Sequence, residues 1–442
     1  SDSTNHFTFY TQMTGTGNVT KTGSGRFHLV GFGDKGGANT FGSTITIAEG
    51  PLSIQGPASL GNITGRTIVA SGGALEIRST AATTYTNEPL TLTGMGLADD
   101  GALRNVVNSN RWTGLITVEN YARIGVATGS VLVLTGGIGG TNGEQDVFLG
   151  GPGPMSIISN GIRSNMYAVI KDTANTVSLS AASAYIGPTY ISNGMLRTDI
   201  PNAVSVVTPV RVSAGAVFNL ASNSQTIGSL AGAGQVTLGS ARLAAGGNDD
   251  DTEYSGVMSG TGGLDKRGYG TMVMSGTNTY SGVTTVSNGV LLVSGASPNS
   301  AHTVYVDGTL MGDGPIGDLT AGGTVDPGNV PGTPGRLECG AVQLEGFGSM
   351  KVNMTAVEGT PGVDWDLINS YAGITVSGSG TFTIQPMGTP TGFNPTNSYS
   401  WKIMSGVAPV SGFSANRFNI NSSGFGVDME GGQFGVTAIG ND

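Results

Sequence analysis

The sequence predicts an all-β protein, a parallel β-helix closed by a C-terminal β cap. Three observations carry this: apolar residues fall in short runs bounded by turn residues, helical periodicity is missing, and a pair of motifs recurs in the same order along the chain. Runs such as Val131-Leu132-Val133-Leu134 sit between Gly, Asn and Ser, the signature of strands. Glycine, at 76 of 442 residues, recurs too often for stable helices.

Taken in chain order, the first copy of the repeat opens with Met13-Thr-Gly-Thr-Gly-Asn-Val-Thr-Lys21-Thr-Gly23 and continues with Asn39-Thr-Phe41 and Ile47-Ala-Glu-Gly50. A partial copy follows at Trp112-Thr-Gly114-Leu-Ile-Thr-Val118-Glu-Asn120. The next carries Lys171, Leu179, Tyr185, Thr189, Asn193 and Gly194, and the last carries Met258, Lys266, Met274, Tyr280, Thr284, Asn288 and Gly289 at matching positions. Recurring units of this kind stack and share one core. Alternation within Thr271-Met272-Val273-Met274 puts one set of side chains inward, and Asn-Gly pairs supply the positive-φ corners. A sandwich or barrel has no need of the same corner motif several times.

The stretch Gly260-Thr-Gly-Gly-Leu-Asp-Lys266-Arg-Gly-Tyr-Gly270-Thr-Met-Val-Met-Ser-Gly276-Thr-Asn-Thr-Tyr280-Ser-Gly282 closely resembles the autotransporter-associated β-strand repeat of bacterial surface proteins. Gly323-Thr-Val-Asp-Pro327-Gly328-Asn329 and Ser224-Gln-Thr-Ile-Gly-Ser-Leu-Ala-Gly-Ala-Gly234 resemble the surroundings of such repeats. The resemblance implies a right-handed, exported passenger at the cell surface, used for display, adhesion or envelope architecture. It covers most of residues 10–340, so 1–340 is read as β-helix and 341–442 as a cap or association region. A conventional autotransporter continues into a membrane β-barrel, whereas this sequence ends at Gly440-Asn441-Asp442. Either a barrel has been removed or export takes another route. The polar start Ser1-Asp2-Ser3-Thr4-Asn5 is not a signal peptide, and no run approaches the about 20 apolar residues of a membrane helix.

Composition narrows the function. A net charge of −10 with lysine and arginine scattered singly argues against nucleic acid as a partner. A single cysteine, Cys339, excludes a disulfide framework or cysteine-rich zinc site. The strongest acidic cluster, Asp249, Asp250, Asp251 and Glu253, follows Gly246-Gly247 and reads as a solvated loop, with calcium as the one cofactor it could hold. Asp307, Asp313, Asp318 and Asp326 read as turn residues. The histidines His6, His28 and His302 read as isolated. No catalytic residue or other cofactor is expected.

The expected function is therefore a non-catalytic, secreted structural protein of the cell surface, self-associating into filaments or a layer because stacked coils leave unpaired strand edges. A monomeric adhesin binding a glycan or matrix ligand is the alternative, with Trp112, Tyr185 and Tyr280 as an external stacking ladder. A β-helical polysaccharide lyase or hydrolase ranks third, for want of converging carboxylates.

Overall fold

A computed structural model describes residues 6–30, 38–62, 64–157 and 159–441. The segment Ser1–Asn5 and Asp442, read above as the chain's ends, lie outside them. Apart from two short 3-10 turns, Leu97–Asp99 and Ala415–Arg417, the regular structure is strand, and every ladder between the described strands is parallel. Parallel neighbours joined by right-handed connections make this a right-handed β-solenoid. The chain forms two compact units, 1–226 and 227–442.

In the first unit one face is a stack running from His6–Phe9 through Arg26–Leu29, Gly50–Ile54, Gly73–Ile77, Leu103–Asn105, Ile116–Val126, Asp146–Gly150, Ala168–Lys171 and Thr189–Ile191 to Pro209–Val212. A second face holds Val19–Lys21, Ile45–Ile47, Thr67–Val69 and Leu90–Gly94, and a third runs from Thr84–Tyr85 to Val217–Asn219. Because strand side chains alternate, register stacks like on like: Leu52 lies over Leu75 and Ile54 over Ile77, all but sealed from solvent. These columns of Val, Ile and Leu form the core.

In the second unit Leu264–Lys266, Thr284–Val293, His302–Gly312, Leu319–Ala321, Arg336–Glu345 and Leu367–Ser377 stack on one face. Thr252–Tyr254, Thr271–Met274, Thr324–Pro327, Ser349–Asn353 and Phe382–Gly388 continue another. Residue 340 falls inside the strand Arg336–Glu345, and parallel pairing carries on to Phe418–Ile420 and Gly424–Phe425. Beyond Phe425 the described residues form no further strand. Around the last strands Phe393, Tyr399, Trp401, Phe425 and Phe434 pack ring against ring. Among the described residues no helix is long and apolar enough to cross a membrane.

Candidate functional site

The repeat motifs assemble three constellations, each made twice or three times. The first is a lysine in the core. In Val19-Thr20-Lys21, Val169-Ile170-Lys171 and Leu264-Asp265-Lys266 the lysine shares the inward parity of the apolar residue two before it, and all three are buried. A buried ammonium needs acceptors. Lys266 Nζ donates to the carbonyls of Arg267 (2.8 Å), Gly268 (2.8 Å) and Asn288 (3.1 Å). Lys21 Nζ makes the same set with Thr22, Gly23 and Glu49, and Lys171 Nζ reaches Thr173 and Asn193. Burial draws these amines down, to about 8 at Lys171 and Lys266, against the pull of Asp172 on the one and of Asp249 and Asp251 on the other.

Each lysine thereby ties the turn after its own strand to the corner of the next coil, immediately before Gly50, Gly194 or Gly289. These glycines sit at φ +68°, +69° and +62°. A Cβ on Gly289 would stand 2.5 Å from the Gly268 carbonyl oxygen, so the corner requires glycine for both its backbone angle and its closeness to the coil below.

The second constellation is a hydroxyl bridge inside the core. Tyr280 Oη lies 2.6 Å from Thr284 Oγ1, which bonds Ser300 Oγ at 2.8 Å, and that hydroxyl donates to the Gly282 carbonyl. Tyr185, Thr189, Thr208 and Gly187 repeat the chain bond for bond. In the first copy the two positions are Phe41 and Ile45, both buried. Hydroxyls are lost in pairs, as expected where one alone would be stranded. The third constellation is a buried asparagine rung: Asn278 Oδ1 accepts from Met258 N, and Asn39 Oδ1 from Met13 N, both one coil back.

Residues expected on the surface are therefore inside. Trp112, Tyr185 and Tyr280 have no exposed surface, so an external ladder built on them is corrected: Trp112 has the inward parity of its strand Ser109–Trp112, and Tyr185 and Tyr280, which lie between strands, are held in the core by the partners of their hydroxyls. His302 is buried too, its Nδ1 donating to the Ser300 carbonyl and its Nε2 facing Ser297 Oγ, and burial lowers it to about 4. His6 and His28, read as isolated, meet edge to face at 5.6 Å. Burial pushes the Cys339 thiol up to about 12, an inert state.

The acidic run is spent on its own neighbourhood. Asp249 Oδ1 accepts from Tyr269 N (2.7 Å), Asp251 Oδ1 from Thr271 N (2.6 Å), and Glu253 Oε1 from Ser275 Oγ (2.6 Å), while Asp250 takes Asn248 and Ser229. Its work is to hold the turn that follows Lys266. Among the described residues no three His, Cys, Asp or Glu side chains are grouped as metal ligands.

Two polar clusters escaped sequence reasoning. Arginines that look scattered converge in the first unit on the buried carboxylate of Glu76: Arg78 Nε at 2.7 Å, Arg26 Nε at 3.0 Å and Arg104 Nη1 at 3.9 Å, with Ser53 Oγ donating at 2.8 Å. Burial alone raises this acid, but the bonds from Arg78, Arg26 and Ser53 outweigh it and hold Glu76 at about 2. In the second unit Asp326 is no turn residue. It lies buried in a strand, accepting from Lys351 Nζ (3.0 Å) and from Asn353 Nδ2 (2.8 Å), and Asn353 also bonds Asp366.

The comparisons with known proteins fall on these features. A family described as the passenger-associated-transport-repeat matches residues 19–54, 169–197 and 264–293, the three segments that run from an inward lysine to its corner glycine. The chain is an autotransporter passenger-like β-helix. A stretch of 120 residues, 24% of this passenger-like chain, is 37% identical to the adhesin BmaC autotransporter of Brucella suis biovar 1 (strain 1330), covering 4% of that protein. Another of 84 residues, 18% of the chain, is 45% identical to an extracellular serine protease of Serratia marcescens, covering 8% of it. The passenger-like chain thus spans less than a tenth of the length of these relatives. Repeats and relatives together indicate a surface passenger domain.

Proposed function

We propose that this passenger-like β-helix is a non-catalytic structural scaffold of the extracellular surface. One observation carries the reading: the polar side chains that define the repeat, the lysines, the tyrosine and threonine hydroxyls and the asparagines, all point inward and are bonded to neighbouring coils. Catalytic repeats would need such groups facing solvent and converging on a substrate. A serine protease among the relatives does not weigh against this, because the likeness involves 8% of that enzyme.

Self-association is the finer part of the proposal. Among the described strands His6–Phe9 is the outermost of its sheet, and Phe7 is exposed while stacking on Phe27. An edge of this kind accepts another strand. Sedimentation velocity over a concentration series tests it: growth of oligomers that Phe7→Lys suppresses supports assembly through this edge, and a single monomeric species throughout refutes it. Assay of the purified chain against casein and a polysaccharide panel tests the non-catalytic reading, which turnover by the chain would overturn.

A further inference from the structure

The last coil of the second unit ends on strands that have a neighbour on one side. Among the described strands Met404–Ser405 pairs with Leu367–Ser377 alone, and Phe418–Ile420 and Gly424–Phe425 pair with Phe382–Gly388 alone. Strands left this way offer backbone donors and acceptors along their far edge. Where a further coil would lie, residues 426–441 cross this end of the unit without forming a strand, exposed over most of their length. The Phe434 ring packs on Trp401 (6.2 Å between centroids) and Phe425 (5.2 Å), and the Gly406 amide donates to the Asn441 carbonyl at 2.9 Å. The fit is loose. A cavity of about 190 Å³ lies among Leu344, Ile374, Ile384, Val436 and Ile439, a second of about 530 Å³ among Ile403, Ile420 and Phe434, and Ile439 is 68% exposed. Well-packed interiors hold no voids of this size.

We infer that residues 426–441 are a displaceable cover, and that the coil end beneath them takes the first coil of a second copy, head to tail. The inference rests on the self-association reading above and supplies the other half of its interface. Strand polarity selects the occupant. Every described ladder is parallel, so a strand inside the stack bonds the coil before it through one edge and the coil after it through the other. His6–Phe9 bonds the following strand, Arg26–Leu29, and Phe418–Ile420 bonds the preceding one, Phe382–Gly388. Their remaining edges are therefore complementary, and a second copy's first coil continues the parallel ladder. Two last coils would meet antiparallel, unlike every described ladder. The first coil is also apolar where it opens: Phe9, Phe27, Leu29 and Leu52 line a hollow of about 630 Å³, and Phe7 beside it is 64% exposed. Seating that coil on the last one takes both apolar ends out of water. The contact is heterologous, so it propagates from copy to copy. While residues 426–441 stay in place the last coil is blocked, and the apparent affinity is reduced to the fraction of molecules in which they are displaced.

The test is sedimentation velocity over a concentration series on the whole chain, a chain shortened by residues 427–442, and the whole chain carrying Phe434→Gln. The expected result is that both changes lower the concentration at which oligomers form, by about ten-fold or more for the shortened chain, and that Phe7→Lys in the shortened chain restores the monomer. Circular dichroism and thermal melts show whether the coils remain intact, and Phe434→Gln, which loosens the cover without removing it, decides the matter if the shortened chain unfolds. Association of the whole and altered chains at the same concentration overturns the inference and leaves self-association standing. Association of the shortened chain that Phe7→Lys does not reduce overturns it too, because the occupant is then not the first coil. Monomers of all three chains at every concentration overturn the self-association reading and the inference with it.

Discussion

The ammonium of Lys266 donates to the carbonyl of Asn288, 3.1 Å away and one coil further along, and the same reach joins Lys21 to Glu49 and Lys171 to Asn193. A charge placed in the core three times at the same corner is a cohesive element of the solenoid. At Lys21 and Lys266 it has three acceptors, two carbonyls of the turn after its own strand and one at the corner of the next coil.

Replacing the lysine tests this directly. Lys266→Met keeps the length of the side chain and strands the carbonyls of Arg267, Gly268 and Asn288, a cost of about 2–4 kcal/mol. Urea unfolding followed by circular dichroism should show a lower midpoint. Lys266→Arg and Lys266→Gln, which keep a donor at the corner, should recover part of it.

The hydroxyl bridge predicts non-additivity. Thr284→Val alone removes the Thr284 partner of the buried Tyr280 hydroxyl, while Ser300 keeps the Gly282 carbonyl, and should cost about 1–2 kcal/mol. Adding Tyr280→Phe reproduces the pairing of Phe41 with Ile45 and should cost less than the sum of the singles by about 1 kcal/mol, read from a double-mutant cycle.

Glu76 and Glu88 give opposite pH dependences. The folded value of Glu76, about 2, lies below its ordinary 4.5, so its contribution is complete above pH 4.5 and disappears as pH falls toward 2, about 3 kcal/mol in all. Glu88 is raised by burial to about 7, in spite of the bond from Thr67 Oγ1. Its contribution is complete below pH 4.5 and is lost as pH climbs to 7. Stability profiles of Glu76→Gln should lose the acid limb, and Glu88→Gln should melt higher than the parent at pH 8.

Calcium should leave the melting temperature where it is. Asp249 and Asp251 already accept backbone amides of the turn after Lys266. A scan in millimolar calcium against one in chelator checks this, and a rise in melting temperature that Asp250→Asn removes would reinstate the acidic run as a cation site.

Much of the fold was legible because solenoid repeats write their geometry locally. Lys21, Asn39 and Gly50 recur as Lys266, Asn278 and Gly289, and the alternation Leu264-Asp265-Lys266 carries even the inward direction of the lysine. What hid that direction was the general rule that lysine stays outside, and only the carbonyls waiting at the corner reverse it. The joint change of Tyr280 and Thr284 to Phe41 and Ile45 was a second available signal. Other features could not be read. Arg26, Glu76 and Arg104 meet only because of the register between coils whose lengths vary. Asp326 sits beside proline and glycine as turn residues do, yet a strand and the Asn353 amide enclose it.

Backbone amide hydrogen exchange on the parent chain and Lys266→Met bears most directly on the claim that the repeat signature exists to hold coil to coil. The account predicts that protection falls selectively across 264–293, including Thr284 N and Val290 N, which bond to the Ala301 and Gly270 carbonyls of adjacent coils, while distant coils exchange as before. Unchanged protection in that stretch would contradict it.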